Sequence, residues 1–327
     1  MIGKKVLVTR IFPQSGIDRL VEEGFNVTQW DKERPMTPSE MIEMAKMNDA
    51  LFCTLTDKID GDFLHACSHL EMISQFGVGY DNIAIAEATR LGIAVGNTPD
   101  VLSEATADIA FGLMIATSRK MFWLHKTIER GEWSYFSPNA HLGIDIKGKT
   151  LGILGLGRIG FEMAKRCKGA YCMEVIYHNR AQNLMAEKEL SARYVGFDEL
   201  LGQSDVLSVH CALTPETNGL FDKMVFEKMK PTAIFINTAR GAVHNEPDLI
   251  EALKTGQLWG AGLDVTNPEP MMPDNPLLKM ENVCVLPHVG SGTAEVRSKM
   301  SLMTAENIIG FYRDGKVPHL VNPEVRY

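Results

Sequence analysis

Residues 150–165, Thr-Leu-Gly-Ile-Leu-Gly-Leu-Gly-Arg-Ile-Gly-Phe-Glu-Met-Ala-Lys, restrict the fold of this chain more than any other stretch. An apolar run enters Gly155-x-Gly157-x-x-Gly160, and the apolar spacing then turns helical. That is the pattern of a strand, a tight turn and a helix. Gly155 permits the turn, Gly157 lets the backbone approach a pyrophosphate, and Gly160 lets the helix pack tightly on the strand. The helix start, near Arg158 and Ile159, supplies N–H groups and a partial positive charge. These residues are therefore expected to hold a dinucleotide.

The same alternation recurs along the chain. Lys5–Thr9, Asn26–Trp30, Leu51–Leu55 and Met72–Phe76 read as strands, with helical stretches at Gly16–Glu23 and Ser39–Met47. A long helix is predicted from Ser103 toward Arg130, followed by an irregular aromatic segment over 132–149. After Thr150 further strands are predicted at Glu174–His178, Asp205–Ala212, Ala233–Asn237, Gly260–Val265 and Val283–Leu286. Helices are expected at Met224–Met229, Glu246–Lys254 and, last, from Thr293 to Arg313. Strands separated by helices imply parallel sheets covered on both faces. The fold class expected is α/β, with two doubly wound parallel-sheet domains. A last helix returning to the first domain makes that domain discontinuous: 1–101 and 290–327, enclosing a Rossmann domain at 102–289.

Composition narrows the function classes. Of 327 residues, 45% are apolar and 23% charged, as in a globular protein. The formal charge of −8, with scattered Lys and Arg, argues against nucleic acid as a partner. No run approaches 18 apolar residues and no signal peptide opens the chain, so no membrane is expected and the cytoplasm is the expected compartment. The cysteines at 53, 67, 167, 172, 211 and 284 form no Cys-x-x-Cys pair and are expected to be buried, reduced thiols. His65 and His69 stand four apart without a third ligand, so a solvated helix face is expected and no metal.

The strand at Glu174–His178 bears on the choice of dinucleotide. An acid at its end would bind a ribose 2′-hydroxyl and repel a 2′-phosphate, but the chain has Asn179-Arg180 there. Arg180 can pair with a phosphate. NADP(H) is expected as the cofactor, with NAD(H) left open.

Three segments at the ends of late strands carry polar residues that strands do not need: Ile236-Asn-Thr-Ala-Arg240-Gly241, Gly262-Leu-Asp264-Val-Thr-Asn-Pro-Glu269-Pro and Leu286-Pro-His288-Val-Gly290-Ser291. With the glycine loop, they resemble the signatures of the D-isomer-specific 2-hydroxyacid dehydrogenases. Within that family, Val95-Gly-Asn-Thr-Pro-Asp-Val-Leu and the run from Gly262 are most similar to the glyoxylate/hydroxypyruvate reductases. The resemblance implies a discontinuous, flavodoxin-like substrate-binding domain, a Rossmann domain and a homodimer.

It also places a catalytic Arg, Glu and His on Arg240, Glu269 and His288. A guanidinium can hold the carboxylate of a 2-oxo acid and polarise its ketone. A histidine can deliver the proton that balances hydride arrival, and a neighbouring carboxylate favours its protonated form. The resemblance implies substrate binding at Val78 and Gly79, besides Arg240 and His288. It implies cofactor contacts at Thr106, Thr217, Thr238, Ala239, Asp264 and Gly290, and an adenine-side loop at Cys211, Ala212 and Leu213. Together with Asn179 and Arg180 these complete the expected site. The segment that discriminates substrates in related reductases reads Tyr135-Phe-Ser-Pro-Asn-Ala140-His here, and leaves the 2-oxo acid open. An NADH-dependent relative and a dinucleotide-sensing corepressor on the same fold are the alternatives; Glu269 speaks against a formate dehydrogenase, whose histidine pairs with glutamine.

Overall fold

The computed structural model describes residues 3–326. The chain forms two compact units, one from Met1–Leu102 with Ser291–Tyr327 and the other from Ser103–Gly290. In the first, strands β1 (Lys5–Val8), β2 (Asn26–Gln29), β3 (Ala50–Thr54), β4 (Met72–Phe76) and β5 (Ala94–Gly96) form a five-stranded sheet in the order β2-β1-β3-β4-β5. Every pair is parallel, and the order is the flavodoxin-like one.

Strand residues alternate between two cores. Leu7, Leu51, Ile73 and Val95 pack with Phe63 and Leu64. Val6, Val8, Phe52 and Met72 pack with Ala305, Ile308 and Ile309 of the helix Ala294–Asp314. Burial on both faces explains why these strands read as unbroken apolar runs. The last helix lies against the helix Gln14–Glu22, where a Cβ on Gly16 would collide with the Ser301 carbonyl. β5 and the helix Ile85–Arg90 have no counterpart among the elements expected from the sequence. They are too short to show a period, and β5 is held by pairing with β4 and by Asn307, which donates to the Asn97 carbonyl at 2.8 Å and whose amide would lie 2.9 Å from a Cβ on Gly96.

In the second unit β6 (Thr150–Leu154), β7 (Glu174–His178), β8 (Arg193–Tyr194), β9 (Val206–Val209), β10 (Ile234–Asn237), β11 (Gly260–Leu263) and β12 (Val283–Val285) form a parallel sheet. Their order is β12-β11-β10-β9-β6-β7-β8. The direction of winding reverses between β6 and β9, and ligands bind outside the strand ends at such a switch point.

One expectation is corrected. The long helix from Ser103 is two helices, Ser103–Ser118 and Met121–Glu129, separated by Lys120 at φ 54°. The break is made from a distance: the Ser118 carbonyl accepts the Ile144 N–H at 2.9 Å, and Gly143 presses on that carbonyl with no room for a side chain. The segment 166–172 ends the helix Arg158–Tyr171, with Cys172 in the left-handed cap position that glycine usually takes. All six cysteines are free, and Cys172 is exposed rather than buried. Among the described residues no helix is long and apolar enough to cross a membrane.

Candidate active site

The glycine loop is built as its sequence demands. Gly155 sits at φ +92°, and a Cβ there would lie 2.6 Å from the Cys211 nitrogen. Only glycine lets the loops after β6 and β9 meet. A Cβ on Gly160 would lie 2.7 Å from the Gly155 carbonyl oxygen, which is the close helix–strand approach. At Gly157, the cap of the helix Arg158–Tyr171, a Cβ would meet nothing within 4 Å, and no side chain caps the helix. A glycine with space in front of it, at an uncapped helix start, fits a pyrophosphate. Residues 155–160 can therefore hold the dinucleotide.

Two expected contacts have other partners. Asn179 faces back into the loop, where its Oδ1 accepts the Leu156 N–H at 2.6 Å and its amide donates to the Leu156 carbonyl at 3.3 Å. Its part is to hold the glycine loop. Thr217 closes its own loop, donating to the Ala212 carbonyl at 2.7 Å and accepting the Thr214 N–H at 2.8 Å. Arg180 is exposed just beyond β7. Its charge helps lower the Glu216 carboxyl, mainly held down by a Thr214 hydrogen bond. Burial pushes the Cys211 thiol up to about 11, so it is not a thiolate nucleophile at neutral pH.

Arg240, Glu269 and His288 follow β10, β11 and β12, three neighbours in the sheet. The His288 Nδ1 lies 2.9 Å from Glu269 Oε2, with the side chains 26% and 27% exposed. Glu269 Oε1 accepts the Thr266 N–H at 2.9 Å. Burial opposes ionisation of Glu269, but the His288 hydrogen bond and charge, the Thr266 N–H and the Arg240 charge outweigh it, and its pKa is lowered. An ionised Glu269 can only accept, so His288 Nδ1 carries the hydrogen and Nε2 is the ring atom left to exchange a proton.

Asp264 plays a part that its expected cofactor role did not suggest. It is 1% exposed, and its carboxylate accepts the N–H groups of Val289 at 2.8 Å and Gly290 at 2.7 Å. Its carbonyl accepts the His288 N–H at 2.9 Å. These bonds hold His288 at φ +53°, a conformation unfavourable for a non-glycine residue. Burial pushes the Asp264 carboxyl up, partly offset by those N–H groups and the His288 charge. Thr106 packs on the same turn, 3.1 Å from a Cβ built on Gly290. Thr238 Oγ lies 3.4 Å from His210 Nδ1, and the Ala239 carbonyl accepts from the Arg240 guanidinium at 2.8 Å.

In the other unit, Val78 and Gly79 lie in the loop after β4. Asn97 holds the Val78 carbonyl at 2.9 Å and Gln75 the Gly79 carbonyl at 3.2 Å. Sequence reasoning missed both supports, because a single polar residue within an apolar strand, as Gln75 is in β4, or just past one, as Asn97 is after β5, carries no local signal. His65 and His69 do not share a helix face: the helix ends at Ala66, His65 pairs with Glu87 at 2.8 Å, and His69 lies within 3.2 Å of the Ala45 and Asn48 carbonyls.

The pair predicts a pH response. The folded value of Glu269 is depressed, so its contribution is present at neutral pH and is lost as pH falls through that depressed value. Glu269→Gln should lower kcat by about tenfold at neutral pH and change the acid limb of the kcat profile. An unchanged profile in steady-state assays would detach Glu269 from the chemistry.

Comparison with known proteins agrees with this architecture. Residues 111–290 match the family model for the NAD binding domain of D-isomer specific 2-hydroxyacid dehydrogenases. The glyoxylate reductase of Korarchaeum cryptofilum is 44% identical over 322 residues, covering 98% of this chain and 96% of the relative. That of Thermococcus litoralis is 43% identical, covering 98% and 97%. Among solved structures, a glyoxylate reductase from Paecilomyes thermophila superposes with a TM-score of 0.88 at 33% identity over 100% of both chains. An NADPH-dependent glyoxylate/hydroxypyruvate reductase from Sinorhizobium meliloti, in complex with NADP and malonate, superposes with a TM-score of 0.85 at 29% identity, covering 99% of this chain and 98% of that one. The chain belongs to the D-isomer-specific 2-hydroxyacid dehydrogenases and is an NAD(P)-dependent oxidoreductase similar over its whole length to glyoxylate reductases.

Proposed function

We propose that this enzyme reduces glyoxylate and hydroxypyruvate to their 2-hydroxy acids with NADPH, His288 giving the proton. The observation that carries this reading is the Glu269–His288 pair at 2.9 Å, beyond the ends of β11 and β12, with Arg240 beyond the end of β10 on the other side of β11. Arg240 binds the substrate carboxylate and polarises the ketone oxygen. Residues 155–160, with Thr106, Ala239, Asp264 and Gly290, hold the dinucleotide, which supplies hydride to the ketone carbon when bound. His288 Nε2 transfers its proton to the oxygen as negative charge grows there, and Glu269 stabilises the ring in the charged form that does so. Val78 and Gly79 are assigned to substrate binding, supported by the resemblance of their loop.

NADPH is favoured by Arg180 and by the lack of an acid at the end of β7. The Sinorhizobium meliloti relative, described as NADPH-dependent, supports the same choice. In a spectrophotometric screen of both cofactors against small 2-oxo acids, glyoxylate and hydroxypyruvate should oxidise NADPH fastest. Arg180→Asp should raise the KM for NADPH by about tenfold or more and narrow or reverse the preference. Failure of every 2-oxo acid would overturn the activity; a wild-type preference for NADH would overturn the cofactor assignment alone. We also assign a homodimer. Trp133, Tyr135, Phe136 and Leu142 are 62%, 74%, 82% and 62% exposed, more apolar surface than one short segment of a monomer usually leaves in water. A light-scattering mass of a single chain would remove that assignment.

A further inference from the structure

We propose that His244 is a positioning residue for the substrate clamp, acting through Asn237 as a neutral hydrogen-bond acceptor; the inference rests on the role given above to Arg240. Asn237 ends β10 and is fully buried. Its side-chain Oδ1 accepts the Ala239 N–H at 2.9 Å, and its Nδ2 donates to the Arg240 carbonyl at 2.9 Å. These two bonds fix which way the amide faces, because a flipped amide would set NH₂ against N–H and oxygen against oxygen. The backbone that carries the clamp is thus folded around one side chain. The Asn237 main-chain carbonyl also accepts the Asp264 N–H at 2.9 Å, and Asp264 holds the turn at His288. One residue therefore braces both the Arg240 and the His288 loops.

The second proton of the Asn237 amide points at His244 Nδ1, 3.1 Å away. Since the amide orientation is set, Nδ1 must accept, and the ring hydrogen must sit on Nε2. His244 is 2% exposed, its ring lies edge-on to Phe235 at 5.8 Å, and its Nε2 has no hydrogen-bond partner among the described residues. An apolar side chain would fill this position without stranding a ring N–H. Leaving such a donor buried and unpaired is costly, and what the imidazole supplies in return is the acceptor for Asn237. Burial drives the ring toward its neutral form, with its pKa lowered to about 4, so that acceptor stays available at working pH.

Two substitutions separate an acceptor from a packing role. His244→Asn keeps an oxygen where Nδ1 lies and discards the ring; His244→Phe keeps the ring and discards the acceptor. With an acceptor role, Phe raises the KM for glyoxylate by about tenfold while the NADPH dissociation constant stays unchanged, and Asn stays near wild type. A packing role reverses that order, and reversal, or equal loss in both, overturns the proposal. Arg240→Lys is measured beside them. If it leaves the KM for glyoxylate unaltered, the clamp reading falls and this inference with it. If Arg240→Lys raises the KM but Phe does not, only the role of His244 falls. Should a variant not fold, ring-nitrogen chemical shifts of the wild-type enzyme decide. A neutral His244 with hydrogen on Nε2 is expected, and hydrogen on Nδ1 overturns the proposal.

Discussion

His288→Ala is expected to bind NADPH as the wild type does and to lose kcat by about 10³-fold, within the range for a general acid–base residue. The two halves of this expectation come from different atoms. The turn at His288 is held by main-chain N–H groups of residues 288–290 on Asp264, and removing the imidazole leaves those bonds in place. The glycine loop draws on Gly155, Asn179 and the helix start and does not involve the imidazole. What is lost is the proton at Nε2 and the partner of Glu269. Without that partner Glu269 loses the hydrogen bond and charge that keep it ionised, so its pKa should rise toward the ordinary carboxylate range or above. Cofactor fluorescence titration and steady-state turnover, measured on one preparation, check both halves. Turnover within tenfold of the wild type would take His288 out of the mechanism.

Gly241→Ala should abolish most activity, by about 100-fold, although it changes no functional group. A methyl group on Gly241 would run into the Thr266 carbonyl and lie 2.8 Å from the Asn267 nitrogen. Both obstacles are backbone, so no side-chain rotation can relieve them. The two segments that meet here are the one carrying Arg240 and the one whose Thr266 N–H holds Glu269. Forcing them apart displaces Arg240, the proposed carboxylate clamp, and the partner of His288 together. Overpacking of this kind also costs about 1–3 kcal/mol of stability, so thermal unfolding should shift downward while the protein still folds. Wild-type kcat/KM in Gly241→Ala would show that the approach is not needed for function.

Residues with a local physical task could be read without the structure. The glycine loop is one, because the positive φ at Gly155 and the approach of Gly160 to the Gly155 carbonyl are local constraints; that Gly155 must also clear Cys211 is not. Strands buried on both faces are another, since continuous apolar runs have few other uses. Arg240, Glu269 and His288 stood out because polar groups at strand ends have no part in a ladder, and the family resemblance named their roles. Contacts between distant residues stayed hidden. The break at Lys120 depends on Ile144, the second support of the Val78 loop on Asn97, and β5 on Asn307. The bonds from the Asn179 side chain to Leu156 were equally hidden, since nothing near either residue in the chain announces them.

The sequence by itself determined the chemistry available and the architecture able to present it: two parallel sheets, a glycine turn suited to a phosphate and three ionisable groups. Tertiary structure alone decided the orientation of those groups. Asp264, Asn237 and Gly241 set it through backbone bonds and close approaches between strand ends far apart in the chain. Periodicity reports which face of an element a residue takes, but it is silent on which neighbour waits there.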